Sequence, residues 1–160
     1  MVLKPWWQRV GWLALAIALT AIDGSVVFAQ EGAAMVADVL NVSVSGNPGS
    51  YTFSVTIASP DTGCDRYADW WEVLTPEGEL LYRRVLLHSH VSEQPFARSG
   101  GPVAIAGDRE VLVRAHMHPD GYGGQAMRGT SESEWEAVES AAEFAAVLEK
   151  QPPLPQNCAF

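Results

Sequence analysis

Period-two alternation dominates this chain and limits what it can fold into. Tyr51-Thr-Phe-Ser-Val-Thr-Ile57 puts Tyr51, Phe53, Val55 and Ile57 on one side and small polar residues on the other, the pattern of a half-buried strand. Residues 36–45 repeat it more loosely, with Val42 and Val44 set against Asn41, Ser43 and Ser45. Glu110 to His118 repeats it again, with Val111, Val113, Ala115 and Met117 on one face. An aromatic stretch from Asp65 to Leu74, a segment from Glu79 to His90, a short strand at Val103–Ile105 and a last edge strand at Gln125–Thr130 complete the expected set. Turn chemistry divides these runs at Gly46-Asn47-Pro48-Gly49, Pro60-Asp61-Thr62-Gly63, Thr75-Pro76-Glu77-Gly78, Ser99-Gly100-Gly101-Pro102 and Pro119 to Gly124. Short strands at this spacing, with no helical crossover between them, predict an all-β antiparallel sandwich or barrel, of which the sandwich is the expectation.

The two ends differ from this middle. Lys4 and Arg9 precede an apolar run from Val10 to Ile22, and Val27-Phe28-Ala29 offers small residues to a signal peptidase. Residues 1–29 are therefore expected to be a signal peptide, cut before Gln30, with a retained N-terminal anchor as the alternative. The apolar run is shorter than the roughly 20 residues that a bilayer span requires. No lipobox cysteine follows it, so a lipoprotein is not expected. This signal predicts a periplasmic or secreted protein with no membrane span after cleavage. Loss of Lys4, Arg9 and Asp23 takes the formal charge from −9 to −10. So acidic a chain repels phosphate backbones, which excludes nucleic acid as a partner. Residues 30–130 form the expected sandwich domain and residues 131–160 an appendage. In the appendage, Ser133 and Glu136 read as a capping box, and Trp135, Val138, Ala142, Ala145 and Leu148 recur at helical spacing. They predict a C-terminal amphipathic helix. Pro152-Pro153-Leu154-Pro155 then predicts an extended strap. The two cysteines of an exported chain are expected to pair as Cys64–Cys158. Closing so long a loop stabilises by about 4–5 kcal/mol in the chain-entropy model.

The sharpest chemical feature is the placement of histidine. All four histidines fall in two His-x-His pairs, His88/His90 and His116/His118. On strands, residues two apart share a face. If the two segments converge, four imidazoles can meet, with Glu93 as an added oxygen ligand. Neutral imidazole suits copper first and then zinc. Met117 shares the apolar face of its strand, whereas His116 and His118 share the other face with Arg114. The bland alternative is that these histidines only hydrogen-bond strands to loops.

Arginine outnumbers lysine seven to one after residue 29, as planar pairing with carboxylates favours. Arg83, Arg84, Arg98 and Arg114 lie in or beside the histidine segments, with Asp65, Asp69, Glu72 and Glu93 as partners. Structural ion pairs are the expected use. The functional alternative is an anion or partner contact around Arg98-Ser99-Gly100-Gly101. Of Trp70 and Trp71, alternation sends one into the core and one outward. No nucleophile elbow, phosphate loop or dinucleotide fingerprint is present in the sequence.

The segments Tyr67-Ala-Asp-Trp-Trp-Glu-Val73, Arg84 through the His-x-His-x-x-Glu-Gln-Pro-Phe-x-Arg-Ser run to Ser99, and Val113-Arg-Ala-His116 resemble a family of uncharacterised small exported bacterial proteins. The resemblance covers about residues 40–125. It implies an immunoglobulin/fibronectin-III-like sandwich and export, and no activity. It favours His88, His90, Glu93 and His116 over a site that needs His118. His-x-His followed by Glu also resembles the first cupin motif, one residue short of its usual spacing and without a second motif after residue 100. The functional expectation is an exported non-enzymatic binding domain that holds copper or zinc. The alternatives are a metal-free structural or protein-interaction sandwich and a cupin-like metalloenzyme.

Overall fold

A computed structural model describes residues 35–159. The expected signal peptide lies outside the described residues. Among the described residues, nine strands form two antiparallel sheets. The first sheet holds β1 (Asp38–Asn47), β2 (Ser50–Ala58) and β5 (Phe96–Val103) in the order β1-β2-β5. The second holds β3 (Tyr67–Leu74), β4 (Leu80–Val85), β6 (Val111–His118), β8 (Gln125–Gly129) and β9 (Glu136–Glu139) in the order β4-β3-β6-β8-β9, with the short β7 (Gly121–Tyr122) also on β6. A 3-10 helix spans Ala146–Lys150.

The alternation read from sequence builds the space between the sheets. Tyr51, Phe53, Val55 and Ile57 of β2 meet Trp71 and Val73 of β3 and Val113, Ala115 and Met117 of β6, all buried. Trp71 is the inner tryptophan, with no exposed surface. In β1 the pairing slips between Val39 and Asn41. This bulge sends both Val39 and Val42 inward and leaves Leu40 on the surface.

Several expectations are corrected. No C-terminal amphipathic helix forms among the described residues. Residues 136–139 add strand β9 to the edge of β8, with Ala126 opposite Val138 and Arg128 opposite Glu136. An unpaired sheet edge offers a row of backbone partners, and that offer outweighs the helical spacing of these residues. The Ser133 hydroxyl accepts from the Thr130 N–H in a turn and caps nothing. Trp135 packs edge-on against Phe53 at 6.1 Å. The segment Glu79–His90 is a strand only to Val85, so His88 and His90 lie in the connection to β5. The stretch Ser99–Pro102 lies inside β5, paired with β2. Gly100 is needed there for space, because a Cβ would sit 2.7 Å from the Tyr82 hydroxyl and 3.0 Å from the Trp71 ring. Gln125–Thr130 is not the last strand, since β9 lies beyond it.

The strap is present. Residues 144–158 cross the outer face of the second sheet, and Cys64 and Cys158 form a disulfide with a Cα–Cα distance of 5.6 Å. Leu74, Leu112, Ala126 and Leu148 make a small second core beneath the strap. Every residue of β3 and all of β6 except His118 are consequently buried. The polar stripe of these strands faces the strap and not water.

Candidate functional site

Under the strap, three strands each contribute a charged side chain. Glu72 of β3 has Arg83 of β4 opposite on one side and Arg114 of β6 on the other. Arg83 donates to Glu72 Oε2 through Nε at 2.8 Å and Nη2 at 2.6 Å. Arg114 Nε donates to Oε1 at 2.9 Å. All three side chains are fully buried. Two arginines against one glutamate leave a surplus donor on each guanidinium, and carbonyls of the strap accept it. Arg83 donates to the carbonyls of Leu148, Gln151 and Pro153. Arg114 donates to those of Phe144 and Ala145. This network makes the strap part of the fold, and its donors are already committed.

Beside the network lies a cleft of about 650 Å³, bounded by β3, β6, the Pro119–Gly121 turn and the strap up to the disulfide. This volume suits a small organic ligand. A bulge shapes the cleft wall. Ala68 pairs with Met117 and Trp70 with His116, so Asp69 is an extra residue in β3. Such a residue re-aims its side chain. Asp69 turns to His116, with Oδ1 2.6 Å from Nδ1. Trp70 stacks flat on the same imidazole at 3.7 Å and 8°, and Tyr122 meets it edge-on at 4.8 Å. The other neighbour of Trp70 is Arg83, whose guanidinium lies 4.5 Å from the ring centroid. His116 is thus held on every side except at Nε2, which lies 3.8 Å from Glu149 Oε1, beyond hydrogen-bond reach. Burial pushes the Asp69 carboxyl up from its ordinary range, while the hydrogen bond from His116 opposes that shift. His118 lies on the same side of β6, its ring 6.0 Å from Tyr67. Asp120 pairs with Arg66 at 3.1 Å.

The other histidine pair occupies the β4–β5 connection. The ring of His90 is buried, stacks on Phe96 at 3.7 Å and lies 4.5 Å from the ring of His88. Neither ring nitrogen of His90 has a hydrogen-bond partner. Asp61 organises this turn by backbone contacts, accepting from the His90 N–H at 2.7 Å and the Ala68 N–H at 3.0 Å. Burial, the Arg98 guanidinium and the neighbouring His88 all hold the His90 pKa down. Glu93 is engaged by Arg98, with Nη2 2.8 Å from Oε2, and the hydrogen bond lowers its pKa. Arg84 lies exposed on β4.

The four histidines do not share one site. His116 and His118 line the cleft, whereas His88 and His90 line a separate hollow with Arg84 and Arg98. Among the described residues, no three His, Cys, Asp or Glu side chains gather as metal ligands do. The sequence reading also missed Asp69 as the partner of His116. No signal within β3 alone marks it, because the bulge at Asp69 is set by pairing with β6.

Comparison with known proteins adds one relative. The chain is similar to a protein of Halomicrobium mukohataei named "Putative lipoprotein", with 47% identity over 98 residues, which are 61% of this chain and 48% of that protein. The chain thus spans about half the length of the curated relative it matches. No family model matches the chain, and no solved structure matches it.

Proposed function

We propose that this chain is an exported, non-enzymatic binding domain whose ligand site is the cleft at His116. One observation carries this reading: an imidazole clamped by Asp69 and Trp70 presents its single uncommitted nitrogen to a cleft of about 650 Å³. Rigid support of one polar atom in a concave site is what small-molecule recognition requires. The strand orders β1-β2-β5 and β4-β3-β6-β8, with a buried tryptophan on β3, support an immunoglobulin or fibronectin-III-like sandwich. The name of the relative supports export, as does the disulfide, which persists in oxidising compartments. The basic and apolar segment at residues 4–22 supports a periplasmic or secreted location. Protein-observed NMR with a fragment library tests the site. Bound fragments should perturb His116, Trp70 and Tyr67 and should be lost in His116→Phe. Perturbations confined to other surfaces would refute it.

A second reading is favoured by one observation, the pair of unpartnered ring nitrogens on buried His90 with His88 alongside. Here the His88/His90 pair is a partial site for copper or zinc, completed by ligands from outside the chain. Calorimetric titration of Cu²⁺ and Zn²⁺ at pH 7.5 tests it. Sub-micromolar binding that is lost in His88→Ala/His90→Ala would support this reading. Weak binding, or binding unchanged by the double substitution, would remove it.

A further inference from the structure

We infer that the His116 cleft takes an organic cation, the ammonium of an alkyl amine or the guanidinium of an arginine-like group, seated between His116 and Glu149. The inference rests on the cleft being the ligand site and adds the chemical class of what enters it. The first argument is the direction of hydrogen bonding. The Asp69 carboxylate accepts at Nδ1, which fixes the neutral ring as the tautomer with its proton there. Nε2 is then a lone-pair acceptor. It belongs to a residue that is more than nine-tenths buried, and it makes no hydrogen bond. Glu149 Oε1, a second acceptor, lies 3.8 Å away. A nitrogen donor about 2.9 Å from each bridges that gap. A ligand that carries only acceptors leaves both unsatisfied.

The second argument is charge. Asp69, Asp120 and Glu149 line the cleft. Arg66 beside it is paired with Asp120, and the buried Arg83 and Arg114 are committed to Glu72 and the strap carbonyls. An anion would meet three carboxylates with no free guanidinium to receive it. A positive group instead relieves the buried Asp69 carboxylate, whose pKa is raised by desolvation. The third argument is shape. The rings of Tyr67 and His118 stand side by side at the cleft, and aromatic walls favour alkylammonium and guanidinium groups. The volume is far larger than an ion needs. A bare divalent metal would also find fewer than three protein ligands among the described residues.

The test is calorimetric titration of the full chain in neutral detergent with cadaverine, acetyl-lysine amide and agmatine. Acetyl-norleucine amide serves as the uncharged isostere of lysine, and Zn²⁺ is titrated in parallel. At least one cation should bind about tenfold or more tighter than norleucine amide, the scale of a charge-assisted contact. The substitution Glu149→Gln, at a half-exposed side chain, should remove about that factor without moving the thermal midpoint. Preference for cadaverine points to a free amine and preference for acetyl-lysine amide to a peptide side chain; both support the assignment. Equal binding of the lysine and norleucine amides overturns the cation assignment and leaves the cleft as a ligand site. Zn²⁺ that binds one-to-one and displaces the amines overturns it in favour of a metal. No binding by any probe overturns both the cation assignment and the cleft reading.

Discussion

The two faces of β3 and β6 are equally buried and are built on opposite principles. Toward the first sheet, Trp71, Val73, Val113, Ala115 and Met117 pack apolar surface on apolar surface. Toward the strap, Trp70, Glu72, Arg114 and His116 pack aromatic and charged groups, each with a named partner. Removal from water drives the first face and tolerates volume-conserving exchange. The second face tolerates no missing member, because a buried charge without its partner costs far more than the pair contributes. The comparison teaches that polar alternation on a strand does not mean a wet face. It can mean a second, hydrogen-bonded core that a distant segment must close.

The largest expected effect breaks the polar face. Glu72→Gln leaves two guanidinium groups buried without a counter-charge, and urea denaturation should show a loss of about 3–5 kcal/mol. Trp71→Ala on the apolar face should lose a similar amount, about 3–5 kcal/mol, through a cavity. The faces are told apart by combination. Adding Arg83→Met and Arg114→Met to the Glu72 substitution should recover only part of the loss, because the strap carbonyls that the arginines serve would then lack donors. Full recovery would show that the network does not hold the strap.

Next in size is the disulfide. Cys64→Ser with Cys158→Ser should cost about 2–4 kcal/mol. Hydrogen exchange should quicken at residues 144–158 and on β9 while β2 stays protected. Uniform quickening would mean that the two faces unfold together.

A smaller effect sharpens the boundary between the faces. The pKa of His90 is held below its ordinary value near 6.5, so the unfolded chain binds the proton more tightly than the folded one. The stability from burying the neutral ring is therefore present above about pH 6.5 and is lost as pH falls through that range. Thermal midpoints from pH 8 to pH 5 should decline, and His90→Phe should flatten the decline. A slope unchanged by that substitution would place the titrating group elsewhere. The smallest effect belongs to Arg98→Ala at the solvent-screened pair with Glu93, which should leave the thermal midpoint nearly unmoved.

The apolar face was legible in the sequence because period-two alternation reports it directly. Tyr51 to Ile57 and Val111 to Met117 lie where their pattern puts them. The polar face was not legible, for physical reasons. Arg114 and His116 look solvated on their own strand, and Tyr122 with residues 144–158 buries them. The Asp69 bulge is a register event between strands, which no single strand displays. The helical spacing from Trp135 to Leu148 was real, yet it competed with a free sheet edge and with the Trp135–Phe53 contact. The expected convergence of histidines assumed two strands, whereas His88 and His90 lie in a connection and only His116 and His118 lie on a strand.

The strap also sets a clock. The carbonyls that Arg83 requires lie 65 to 70 residues further along the chain, so the residues of the apolar face precede the lid of the polar one and can pack before it is in place. Until then Glu72, Arg83 and Arg114 remain hydrated, and solvation is cheap. The disulfide that seals the lid spans 94 residues and forms only where thiols are oxidised. The outline of the cleft, which both cysteines line, therefore depends on the redox state around the protein.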